Sequence, residues 1–111
     1  MEEERRRAPR FTFVAAGEVL DENSGSLLPI RVSDLSLNGC YLDTINPFPG
    51  GTPVHVKIFT ESHRFEAPAT VVYSHIHLGM GIAFRELDSA HLTVLQNWLL
   101  SDTEGSYQPQ G

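Results

Sequence analysis

The chain has 111 residues, 41% hydrophobic and 20% charged, which allows one soluble globular domain and excludes two ordinary domains or a disordered chain. One cysteine excludes an internal disulfide and suits a reducing cytoplasm, and no apolar run approaches the roughly 18 residues of a membrane span. The net charge is −6, and it is uneven: Arg5, Arg6, Arg7 and Arg10 are half of all basic residues, while residues 11–111 carry a net −7 that would repel a long polyanion.

In chain order, residues 1–10 read as a flexible, arginine-rich arm. The opening MEEERRR has acids first and no apolar stretch behind the arginines, so it is not a secretory signal. Phe11–Leu20 is rich in β-branched and aromatic residues, and Pro9 before it disfavours helix, so a strand is predicted there. Asp21–Ser26 is a polar turn cluster. Leu27–Val32 resumes strand character, Asp34–Gly39 reads as a polar loop, and Cys40-Tyr41-Leu42 as a short strand. Asn46–Gly51, with two prolines and two glycines, is another turn.

Val54, Val56 and Ile58 then alternate with His55, Lys57 and Phe59, the period of a half-buried strand. Thr60–Arg64 is a polar connector. Phe65–Ser74 is the next strand, with Ala67, Ala69, Val71 and Tyr73 in alternation. His75–Leu78 turns the chain into Gly79–Phe84, the last strand. The period changes after that. Leu92, Leu95 and Leu99, widened by Val94 and Trp98, make residues 89–100 an amphipathic helix, with Asp88 as N-cap and Leu87 stapling onto Leu92. Residues 101–111 lack periodicity and read as a disordered tail. The fold class is therefore mainly β: a six-stranded antiparallel barrel over residues 11–100, closed at one mouth by a C-terminal α-helix.

Enzyme chemistry finds no foothold. Ser36 is not in a nucleophile-elbow setting, Cys40 reads as a small core hydrophobe, and Gly79-x-Gly81 does not precede a helix as a dinucleotide fingerprint must. The five histidines show no metal spacing on a helix, and no cofactor is expected. The glycines at 79 and 81 suggest close backbone approach or a bulge.

Two features do suggest ligand chemistry. Guanidinium is a flat fork that bonds bidentately to phosphate or to the O6/N7 edge of guanine, and it stacks on aromatic faces. Pro9 stiffens the backbone within Arg6-x-x-x-Arg10, which lowers the cost of ordering it. Some two dozen residues later stands Asp34-Leu35-Ser36-Leu37-Asn38-Gly39. It suits a tight turn, with Gly39 supplying a permissive dihedral. Asp34 and Ser36 are two apart, so both can face one way and offer acceptors to the N1–H and N2–H2 donors of guanine.

Arg6-x-x-x-Arg10 followed by Asp34-x-Ser36-x-x-Gly39 resembles the paired signature of PilZ domains, and the Gly79–Phe84 strand and closing helix fit the same pattern. The resemblance runs over roughly residues 4–100. It implies a six-stranded barrel that binds the bacterial messenger cyclic di-GMP and acts on a protein partner in flagellar, pilus, polysaccharide or transcription machinery, with no DNA or RNA partner. It implies that Arg6 and Arg10 bind guanine edges and phosphates and that Asp34 and Ser36 bond guanine. Gly39 would let the loop approach the ligand. Arg5, just before the first motif arginine, is associated with uptake of two intercalated ligand molecules. Arg7, Asn38 and Gly81 complete the expected ligand set, Arg7 being the arginine that strand alternation turns away. Two rivals accompany this reading. One is a PilZ-like adaptor that works without nucleotide. The other is a barrel for single-stranded RNA, which the net charge and the commitment of the ten aromatics to the core oppose.

Overall fold

Six strands form where the period-two segments lie, and they close on themselves. In the computed structural model, which describes residues 11–107 and the side chains of 13–100, the elements are β1 (Phe11–Asp21), β2 (Leu27–Leu35), β3 (Gly39–Asp43), β4 (Pro53–Phe59), β5 (Arg64–His75), β6 (Gly79–Phe84) and α1 (Ser89–Tyr107). Their order around the closed barrel is β1-β2-β3-β6-β5-β4, every pair antiparallel. Closure removes the sheet edges that would otherwise offer unpaired backbone to other chains.

The inside of the barrel is apolar because alternate residues point there. Val54, Val56 and Ile58 of β4 are fully buried, as their alternation requires, and Ala67, Ala69 and Val71 of β5 face them. Each large aliphatic side chain so buried contributes about 1.5–3 kcal/mol relative to exposure. Cys40 is buried among them.

Three places break the alternation, and two of them matter for function. Ser33 is a bulge between β2 and β3: Val32 pairs with Leu42, yet Asp34 pairs with Tyr41. Period two would point Asp34 into the barrel with Val32; the extra residue turns it outward. Val72 is the equivalent bulge on β5, opposite Gly81 and Ile82. It reverses Tyr73, which the alternation of Ala67, Ala69 and Val71 would place inside and which is instead 38% exposed. The third irregularity, between Thr12 and Ala15 of β1, faces the Ser33 region.

The helix α1 packs on β1 and β5. Among its described side chains Leu95 and Trp98 are buried, with Val94 and Leu99 half-buried beside them. Trp98 stands between Phe13 at the start of β1 (ring centroids 5.1 Å apart) and Phe65 at the start of β5 (6.2 Å). Phe84, at the end of β6, is 5.2 Å from Phe65. The helix therefore covers the barrel end where β1 and β5 begin and β6 finishes. It runs to Tyr107, beyond the Leu100 boundary that the apolar stripe suggested and into the segment read as a tail. No proline interrupts residues 89–108, and an apolar stripe in a sequence does not report where a helix's hydrogen bonds end. Residues 108–111 lie outside the described residues.

Asp88 caps the helix as its position suggested. Its Oδ1 accepts the His91 amide at 2.9 Å and the His91 ring nitrogen at 3.1 Å. The backbone bond from His91, then the side-chain bond, hold the Asp88 carboxyl below the usual carboxylate range. A carboxyl with a depressed folded value stabilises above its unfolded value and loses that contribution as pH falls through the folded one. The helix signal in circular dichroism should therefore melt at a lower temperature in acid than at neutral pH, and Asp88→Ala should remove that part of the acid sensitivity.

Candidate functional site

The Asp34–Gly39 segment is tighter than its composition suggests. Asp34 and Leu35 still belong to β2, and Gly39 already belongs to β3, so only Ser36, Leu37 and Asn38 form the turn. The Ser36 amide donates to the Gly39 carbonyl at 2.9 Å. The Ser36 hydroxyl donates to the same carbonyl (3.3 Å) and accepts the amides of Asn38 (3.2 Å) and Gly39 (3.3 Å). One donor and two acceptors are all a serine hydroxyl has, and the residue is 5% exposed. This corrects the expectation that Asp34 and Ser36 present acceptors side by side. Ser36 shapes the turn from within, and Asp34 alone of the two lies on the outer face.

Gly39 is also needed for a different reason from the one its sequence context gave. Its backbone is ordinary strand; the positive-φ glycines among the described residues are Gly25 and Gly51. A Cβ at Gly39 would collide with the backbone carbonyl of Ile82 on β6. The glycine lets β3 approach β6 closely where Phe84 donates its amide to the Asn38 carbonyl at 2.8 Å. An open hollow lined by Leu37, Asn38, Phe84 and Arg85 flanks the turn. Arg85 is committed to structure: it bonds both carboxylate oxygens of Glu22 at 3.0 Å and the carbonyls of Ala69 and Val54.

The register of β1 on β2 places the start of β1 beside the turn. Phe11 pairs with Leu35, and Thr12 with Asp34. The chain that carries Arg10 thus enters the barrel beside the turn. Arg5, Arg6, Arg7 and Arg10 themselves lie outside the described residues.

Outside the barrel, Asp34 pairs with Tyr41, and Tyr41 and Tyr73 both pair with Gly81. Sequence reasoning places Tyr73 in alternation with Ala67, Ala69 and Val71 and takes the ten aromatics as largely committed to the core. Tyr41 lies between the buried Cys40 and Leu42, so it faces out, and Tyr73 is reversed by the bulge at Val72. The one sequence signal for this surface was the pair of small residues Gly79 and Gly81, which leave room above the sheet. Burial, then the neighbouring Tyr73, Asp43 and Asp34, push the Tyr41 phenol up from its ordinary value, so it stays a hydrogen-bond donor at neutral pH. Among the described residues, no group of three or more His, Cys, Asp or Glu is arranged to hold a metal ion, and no helix is long and apolar enough to cross a membrane.

The sequence profile of the PilZ domain family matches residues 4–101. The chain belongs to that family. Solved PilZ structures share its fold. The PilZ domain of YcgR from Escherichia coli, solved with c-di-GMP, superposes with a TM-score of 0.74 at 18% identity, covering 92% of this chain and 94% of that one. The inhibitor of motility MotI/DgrA of Bacillus subtilis gives 0.72 at 16% identity over 96% of this chain, which spans 53% of that longer protein. The PilZ domain of CeSA from a cellulose-synthesising bacterium gives 0.63 at 19% identity, covering 86% of this chain and 98% of that domain. No curated protein matches the sequence. The matched range includes Arg6, Arg10, Asp34, Ser36 and Gly39.

Proposed function

We propose that the chain is a receptor for the bacterial second messenger cyclic di-GMP and that its arginine arm and the Ser36–Asn38 turn close jointly on the ligand. The observation that carries this reading is the β1–β2 register. Phe11 lies opposite Leu35, and Arg10 is one peptide unit before Phe11. Arg6 is four residues further back, a reach of at most about 14 Å in extended chain, comparable with the size of a dinucleotide.

The chemistry divides cleanly. Arg6 and Arg10 supply forks for guanine edges and phosphates. Asp34 accepts from the N1–H and N2–H2 edge of a guanine. Ser36 acts through the backbone: by holding the amides of Asn38 and Gly39 it fixes the path of the turn on which the ligand sits. Gly81 acts beneath Tyr73 and not as a direct contact. The similar YcgR domain was solved with the same messenger, and the net −7 of residues 11–111 restricts anion capture to the arm. A stacked ligand pair carries four phosphate charges, which Arg5, Arg6, Arg7 and Arg10 match in number. Closure of the arm changes the surface at the turn and passes the signal to a protein partner.

Isothermal titration with cyclic di-GMP tests this reading. The expected result is saturable heat with about two ligands per chain; a ratio near one removes the role given to Arg5. Absence of heat leaves the nucleotide-free adaptor in place of the receptor.

A further inference from the structure

The outward row on β2, β3, β6 and β5 has an unusual construction. Its members in lateral order are Asp34, Tyr41, Gly81 and Tyr73. A Cβ at Gly81 would lie 2.5 Å from Cζ of Tyr73 and 2.7 Å from its hydroxyl oxygen. A Cβ at Gly79 would first meet the backbone carbonyl of Leu42 on β3, and it would also lie 2.8 Å from Cε2 of Tyr41 and 3.0 Å from its hydroxyl oxygen. Each tyrosine ring therefore lies down over a glycine of β6 in place of standing off the sheet. The two ring centroids are 6.2 Å apart with planes inclined by 32°, and His75 continues the row 5.3 Å beyond Tyr73.

Two laid-down rings beside a carboxylate are a fitting surface for a purine. A guanine has two needs: a flat polarisable partner for its face, and acceptors for its N1–H and N2–H2 edge. We propose that Tyr73 and Tyr41 form a stacking platform for a guanine base of the ligand, with Gly79 and Gly81 as the residues that make the platform flat. This rests on the receptor reading above and extends its site from the turn across the outer wall to β5. The platform also explains the bulge at Val72: without it Tyr73 would point into the barrel.

Aromatic rings over glycines also support a sheet mechanically, so the test must separate affinity from stability. Tyr73→Phe keeps the stacking face and should bind cyclic di-GMP within about 3-fold of the parent chain; Tyr73→Ala should bind about 5- to 150-fold more weakly, the range for loss of one base–aromatic stack. Thermal unfolding of both variants reports the structural part separately. In the parent chain, the ring protons of Tyr73 should move upfield at saturating ligand, a ring-current signature that needs no substitution. Undiminished affinity of Tyr73→Ala, or unmoved Tyr73 ring protons beside clear binding elsewhere, overturns the platform and leaves the receptor intact. Absence of any binding by the parent chain overturns both.

Discussion

Arg10→Ala, and separately Arg6→Ala, should weaken cyclic di-GMP binding by about 10- to 100-fold, the equivalent of one charge-assisted bidentate contact. The size follows from how the site is divided. Ordering an arm costs about 1–2 kcal/mol per residue, so arm closure is favourable only when several arginines engage together. Losing one fork removes its own contact and leaves the ordering cost in place. Lysine at either position should recover little, because an ammonium is a point charge and cannot match the O6/N7 edge of guanine or both oxygens of a phosphate. Thermal unfolding of the ligand-free variants reports any effect on stability separately from the effect on binding. Calorimetry of the two single variants decides it: near-parent affinity in both removes the arm from the site.

Phe65→Ala should lower the unfolding free energy by about 3–5 kcal/mol, measured by urea denaturation. Phe65 is fully buried at the start of β5. Its ring lies 5.2 Å from Phe84, 6.0 Å from His91 and 6.2 Å from Trp98. It therefore joins the end of β6, the first turn of α1 and the Trp98 plug in one aromatic cluster. An alanine leaves a cavity where three elements meet, and the closed backbone of the barrel limits how far they can collapse into it. A loss of that size is a large part of the 5–15 kcal/mol typical of a domain. Added ligand should recover part of it by mass action, since the ligand is bound only by the folded chain. A loss below about 1 kcal/mol would mean that the cluster repacks around the gap.

Much of this architecture is written in local pattern. Val54, Val56 and Ile58 state their strand by alternation, and Asp88 before an apolar helical stripe states the helix start. The barrel itself follows from six short strands and the turn residues between them. The outward positions of Asp34 and Tyr73 are not written that way. A bulge at Ser33 or Val72 depends on which partner residues the strand meets, and that register is set by strands distant in sequence. The same holds for Gly39, whose need arises from the Ile82 carbonyl and not from its own dihedral. Ser36 was legible as a turn former but not as a side chain with every hydrogen bond already used. The helix beyond Leu100 was missed because helical hydrogen bonding can outlast an apolar stripe in the sequence. The two motifs were legible as residues, while the β1–β2 pairing that sets Phe11 opposite Leu35 is a property of the sheet.

The most direct measurement follows both halves of the site at once in the intact chain. With nitrogen-15 labelling, the backbone amides of Leu37, Asn38 and Gly39 and the side-chain Nε–H groups of Arg6 and Arg10 are observed during addition of cyclic di-GMP. Joint closure predicts that both sets move along one saturation curve. Arginine signals that stay put while the turn amides shift, or a spectrum unchanged at excess messenger, would contradict it.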